Sequence, residues 1–272
     1  MNKKILTYVI CFVLLIAVNA CTNANNKELD IKKESTVERE SNESSEELIH
    51  YDIPEKEPVN EISNGVTSKG YKIENIDGIT YVDGYLIANK TYSLPSTYIP
   101  DGTHIPLGDM DWCQECIIEE AYQEYARMRD DMQSLGMRVY IGSGYRGYYQ
   151  QAGLYQMYVN SDGQAAADTY SARAGHSEHQ TGYAFDICDY DYPGDCIEES
   201  YENTPSGKWI NENAYRYGYI IRYPKGKTDE TGYIYEAWHL RYVGEELARK
   251  LYNNGDWITM EDYFGITSAY QD

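Results

Sequence analysis

Residues 171–188 read SARAGHSEHQTGYAFDIC and bring two histidines, a glutamate and an aspartate into one short stretch. The chain has 5 histidines, so two of them three residues apart, beside carboxylates, mark a concentrated polar site rather than background composition. A third, His239, stands in a second stretch at 235–244, YEAWHLRYVG, with Glu236 three residues before it. Two histidines and one carboxylate are a common protein shell for a catalytic zinc, because three ligands leave a position open for water. His179, Asp186 and His239 form the best such set, and Glu236 is then the carboxylate left beside the metal, free to act as general base. His176 is read as a neighbour of the site or a surface residue, with ligation in a helical turn beside His179 as the alternative.

Residues 177–186, SEHQTGYAFD, resemble the SxHxxGxAxD signature of the zinc D,D-carboxypeptidases of the VanY type, and residues 236–239, EAWH, resemble their ExxH. The resemblance implies a zinc metallocarboxypeptidase, with Zn2+ held at His179, Asp186 and His239 and with Glu236 as the base. This chain has Ala174-Gly175 where the family commonly has Pro-Gly. Residues 143–151, SGYRGYYQQ, are similar to the family's SGYRxxxxQ block, which puts Arg146 and Gln151 at the substrate. A fixed guanidinium beside a reacting carbonyl stabilises the oxyanion that forms when water attacks. Ser177 and Gln151 are expected to hydrogen-bond the substrate and Trp238 to wall the pocket. The implied fold is a single α+β domain, a small antiparallel sheet flanked by helices of the Hedgehog/DD-peptidase type.

Toward the N-terminus, residues 1–21, MNKKILTYVICFVLLIAVNAC, combine two lysines, an apolar run too short for a comfortable membrane span, and small residues before a cysteine. This reads as a secretory signal, and Val18-Asn19-Ala20-Cys21 resembles a bacterial lipobox with Cys21 as the lipid-bearing residue. An exported protein anchored to the outer face of the cytoplasmic membrane is the expectation. Residues 22–65 are rich in Glu, Ser, Asn and Lys without an apolar period, the composition of a disordered acidic tether. The catalytic domain is expected over 66–272, and residues 89–100, NKTYSLPSTYIP, resemble the segment that opens many VanY-type domains.

Within that domain, short alternating runs around Asp77-Gly78 and Asp83-Gly84 predict hairpin strands over 70–100. Apolar residues at Ile118, Ala121, Tyr122, Tyr125, Met128, Met132 and Leu135 predict a core-facing helix over 114–135, capped by Gly136. A strand through Met137, Val139 and Ile141 follows, then helices over 148–161 and 164–171 and a strand over 183–188. Further on come a helix over 209–217 with Gly218 as its cap, strands over 219–223 and 233–237, and a helix over 244–251. Glu236 and His239 are three apart, so a straight strand would turn them to opposite faces and a bend must lie between them.

Composition narrows the function classes. A net charge of -21 gives no basic face for nucleic acid. Beyond Cys11 and Cys21, the cysteines Cys113, Cys116, Cys188 and Cys196 form two closely spaced pairs, read as disulfides in an exported protein, with Cys188–Cys196 closing a short loop. The 30 tyrosines against 3 phenylalanines allow exposed rings to stack on sugars. The implied partner is the peptidoglycan stem peptide, cut as a D,D-carboxypeptidase. An L,D-carboxypeptidase acting on tetrapeptides is the alternative, as is a zinc-containing module that binds cell-wall peptide without cleaving it.

Overall fold

The computed structural model describes residues 65–271. The expected signal with Cys21, and the tether up to residue 64, lie outside the described residues. The described chain enters through a meander of four antiparallel strands, β1 (Gly65–Val66), β2 (Lys72–Ile76), β3 (Ile79–Val82) and β4 (Tyr85–Ile87). Its two tight turns are the predicted ones. Asp77, Gly78, Asp83 and Gly84 all have positive φ (54°, 82°, 51° and 85°), the primed-turn geometry whose twist matches that of the flanking strands.

The site is built on a second sheet. Its strands are β6 (Val139–Ser143), β8 (Ala184–Asp189), β10 (Glu236–Tyr242) and β9 (Tyr219–Tyr223), in that spatial order and antiparallel throughout. A two-stranded ribbon of β5 (Trp112–Cys113) and β7 (Tyr145–Arg146) stands beside it. The architecture is the expected α+β one, a small antiparallel sheet with helices packed around it.

Helix α1 (Glu119–Ser134) buries Ala121, Tyr125, Met128 and Met132, the stripe that the sequence period marked. It starts five residues later than predicted, because residues 114–118 are tied by the Cys113–Cys116 disulfide and by a bridge from Thr103 to Ile118. Leu135 lies past its last turn and is 63% exposed, so it is not a core residue. Helix α2 (Tyr148–Asp162) matches its expectation, but α3 (Gln164–Ala167) stops early: Thr169, Tyr170 and Ser171 turn their N–H groups back onto Ala166 and Ala167. Helix α4 (Pro205–Asn213) begins earlier than periodicity suggested. Its start is set by Pro205 in the first turn and by Thr204, whose hydroxyl accepts a hydrogen bond from the Gly207 N–H. A 3-10 turn (Ala214–Tyr217) then closes on Gly218, left-handed as expected. Helices α5 (Thr228–Thr231), α6 (Glu245–Tyr252) and α7 (Met260–Phe264) complete the described chain.

Both cysteine pairs form disulfides, Cys113–Cys116 and Cys188–Cys196. Many tyrosines serve inside the fold rather than on its surface. Tyr201, Tyr219, Tyr223 and Tyr233 are buried, and the Tyr219 hydroxyl donates to the Ala121 carbonyl, so the ring fills the core while the hydroxyl finds a partner.

Candidate active site

Three elements of different local structure bring the site together. His179 lies in a 3-10 turn (Glu178–Thr181), Asp186 in β8, and His239 in β10. His239 and Asp186 are direct partners in the antiparallel β8–β10 pair, so their side chains leave the sheet on one face. The turn ends at Gly182, left-handed at φ 73°, which returns the chain to β8. Gly175 keeps the left-handed conformation at φ 82°, and a Cβ there would stand 2.8 Å from the Leu94 carbonyl oxygen. The glycine of the expected Pro-Gly pair is therefore the one the backbone requires.

The bend expected between Glu236 and His239 is a bulge. Strand β10 advances from Glu236 to Leu240 while its partner β9 moves only from Tyr223 to Ile221. Two extra residues thus re-aim the strand, and it continues to Tyr242 instead of ending at residue 237. As a result a Glu236 carboxylate oxygen lies 3.8 Å from His239 Nδ1.

The orientation of each histidine follows from its other nitrogen. His179 Nδ1 donates to the Gly144 carbonyl at 2.8 Å; a carbonyl only accepts, so this nitrogen carries the proton and Nε2 faces Asp186, 3.5 Å away. Gly144 itself is packed against the loop of the first disulfide, where a Cβ would meet the carbonyls of Gln114 and Cys116 at 2.6 and 2.8 Å. His239 is held the other way round. Its Nδ1 lies 3.1 Å from Asp186 Oδ1, and its Nε2 is 3.6 Å from Glu178 Oε2, within ion-pair reach but longer than a hydrogen bond.

His179, Asp186 and His239 can each offer one donor atom within 4.8 Å of the others, all three buried. Two imidazole nitrogens and a carboxylate suit a borderline-soft divalent ion. His239 Nε2 and Glu178 Oε2 are both buried without a hydrogen bond among the described residues and face each other at 3.6 Å, which leaves Nδ1 as the His239 nitrogen turned toward Asp186. The residues present therefore fit a metal ion.

Electrostatics separate the carboxylates. Burial raises the Glu236 pKa to about 8, with the Asp186 charge adding to it and His239 and Arg146 working against it. Burial would also raise Asp186, but His179 and His239 outweigh it and hold Asp186 below the usual carboxylate range. Burial opposes charge on His239, yet its carboxylate neighbours Asp186 and Glu178 prevail and lift it to about 9. For His179 burial dominates, followed by the Arg146 charge, and its pKa falls.

The other sequence-predicted residues lie on several elements. Arg146 sits in β7, opposite Trp112 in the disulfide-tied ribbon; its field acts on both Glu236 and His179, and its buried Nε has no partner among the described residues. Gln151 donates its amide to the Ala172 carbonyl at 2.6 Å, tying α2 to the loop before His176, and leaves its Oε1 buried without a partner among the described residues. Ser177 is buried at the start of the 3-10 turn, and Trp238 is buried with the apolar core. His176 stands apart from the metal group. It is buried, not on the surface, with Nδ1 2.7 Å from the Asn89 carbonyl and its ring edge-on to Tyr270.

Several participants escaped sequence reasoning. Tyr158, in α2, has its phenol pKa raised by burial, with the charges of Asp186 and Glu236 adding to the shift and that of Arg146 opposing it. Glu178 fills an unassigned position of the signature, yet it is 2% exposed and paired with Arg222 and Arg241 at 2.8 and 3.1 Å. Its partners are 44 and 63 residues away, and no local pattern announces them.

Comparison with known proteins agrees with this geometry. The sequence model of VanY, described as D-alanyl-D-alanine carboxypeptidase, matches residues 114–245. The YodJ protein of Bacillus subtilis (strain 168) is 37% identical over 200 residues, covering 71% of this chain and 72% of that protein. Among solved structures, the LdcB LD-carboxypeptidase superposes with a TM-score of 0.61 at 36% identity, over 73% of this chain and 95% of that one. A vancomycin resistance D,D-pentapeptidase VanY mutant in complex with Zn(II) gives a TM-score of 0.53 at 30% identity, over 65% of this chain and 96% of that one. With the fold, both signatures and relatives of this extent in agreement, the chain belongs to the VanY-type D-alanyl-D-alanine carboxypeptidase family.

Proposed function

We propose that this chain is a zinc-dependent carboxypeptidase that removes the C-terminal D-alanine from peptidoglycan stem peptides. The observation that carries this reading is the buried His179, Asp186 and His239 group with Glu236 beside it. A structural metal site has no use for a spare carboxylate next to its ligands, which counts against a module that only binds. His179 Nε2, the Asp186 carboxylate and His239 Nδ1 would hold Zn2+. When bound there, zinc supplies Lewis acidity toward the scissile carbonyl and lowers the pKa of a water.

The chain's own groups do the rest. Glu236 takes a proton from the attacking water and hands it to the leaving amine, and the field of a divalent cation favours its ionised form. Arg146 offers N–H donors to the oxygen on which negative charge develops. Gln151 Oε1, buried without a partner among the described residues, and the Ser177 hydroxyl would orient the peptide. The lysines, apolar run and Cys21 at the N-terminus support export and a lipid anchor, which would put this chemistry at the cell wall.

Cleavage of a D,D bond is the first reading, supported by the family match. A second reading, cleavage of the L,D bond of tetrapeptides, is favoured by the greater likeness to the LdcB LD-carboxypeptidase than to the VanY pentapeptidase. Incubating the purified chain with pentapeptide and tetrapeptide muropeptides, and reading products by mass spectrometry, decides between them. Loss of one D-alanine is expected. Binding of both substrates with release from neither would replace the enzyme reading by the binding module.

The zinc reading carries a pH dependence. In the metal-free site His239 keeps its proton up to about pH 9, whereas a ligating nitrogen must be free of it. Zinc uptake at pH 7 should therefore release at least about one proton, and affinity should rise as pH increases toward 9. Calorimetry in two buffers of different ionisation enthalpy counts the protons; an uptake with no proton release would contradict the assignment of His239.

A further inference from the structure

We infer that Glu261, in the short C-terminal helix α7, is a positioning residue for the metal site, acting through Arg222 and Glu178 to hold the His239 ring. The inference rests on the zinc reading above. Glu261 itself lies outside the family match, which ends at residue 245.

Four charged side chains form a buried chain behind His239. Glu178, Arg222, Arg241 and Glu261 are 2%, 1%, 2% and 3% exposed. Arg222 gives Nη1 and Nη2 to the two oxygens of Glu261, at 2.8 and 2.6 Å, and Nε to Glu178 Oε1 at 2.8 Å. Arg241 reaches the same Glu178 oxygen at 3.1 Å while its Nη2 donates to the Leu86 carbonyl at 2.8 Å. Asn89 orients Glu261 by donating to Oε1 at 2.9 Å. Two anions and two cations balance, which is the condition for keeping such groups out of water.

The division of atoms gives the chain its direction. Both arginines use Glu178 Oε1, so Oε2 has no hydrogen bond among the described residues and faces His239 Nε2 at 3.6 Å. A carboxylate on the far nitrogen of a metal-binding histidine fixes both its tautomer and its ring angle. Glu261 keeps Oε2 available, because it occupies the two Arg222 donors that could otherwise turn to that oxygen. Removing the Glu261 charge has two effects in the same direction. Arg222 gains donors that compete with His239 for Glu178, and an uncompensated positive charge remains buried behind a pocket that must accept a divalent cation.

The test is the zinc dissociation constant of the full chain, measured by chelator competition well below the melting temperature of each variant. Glu261→Gln should weaken zinc about 10–100-fold, the range for residues that orient metal ligands. Phe264→Leu, in the same helix and fully buried, should lower the melting temperature but leave the affinity of the folded protein unchanged. Arg222→Lys, which cannot bridge both carboxylates with one ammonium, should also weaken zinc and serves where Glu261→Gln does not fold. Wild-type affinity in folded Glu261→Gln or Arg222→Lys overturns the inference, as does an equal loss in Phe264→Leu. A wild-type chain that takes up no zinc overturns the reading beneath it as well.

Discussion

Glu236→Gln should leave the fold and bound zinc intact and lower kcat by at least about 100-fold, the lower scale of a general acid–base contribution. The amide is nearly isosteric with the carboxyl, and in the metal-free protein Glu236, with its pKa raised to about 8, is already neutral at pH 7. The substitution therefore costs the resting structure little. It removes the one thing the amide cannot do, which is to take a proton and return it. Measured together, kcat, zinc content and melting temperature separate this outcome from misfolding. A fully active Glu236→Gln protein would move the base elsewhere.

His179→Ala should weaken zinc by more than about 100-fold, beyond the usual cost of losing a residue that only orients a ligand. His176→Ala should keep zinc. The contrast is informative because the two histidines are three residues apart and both are buried. His176 faces the Asn89 carbonyl, and its loss strands that acceptor in the interior, at a cost of about 1–3 kcal/mol in stability. Metal content by mass spectrometry, with a thermal melt of each variant, reads both effects. Stoichiometric zinc in His179→Ala, or its loss from a folded His176→Ala, would break the assignment.

The sequence by itself determined most of the metal group. His179 and Asp186 were legible because they lie on a short turn running into a strand, Glu236 and His239 because they lie close together on another, and the two family signatures they resemble joined the pairs. The two Asp-Gly turns and the buried face of α1 were legible for similar reasons, since turn chemistry and helical period act over a few residues. Element ends were less so. Helix α1 starts late because a disulfide and a bridge hold its predicted first turn, and β10 runs past His239 because two neighbouring strands pair with it.

What only the tertiary structure decided is how the ligands are held. The Gly144 carbonyl sets the His179 tautomer from 35 residues away, and Glu178 faces His239 while two distant arginines anchor it. Trp238 adjoins His239 in sequence yet belongs to the apolar core, and Gln151 reaches the loop at 172 with its amide. These contacts obey no period, because each joins elements whose proximity is created by the packing of the whole domain. A buried charge is stable only beside a partner, and which partner is near is a property of the fold rather than of the neighbouring sequence.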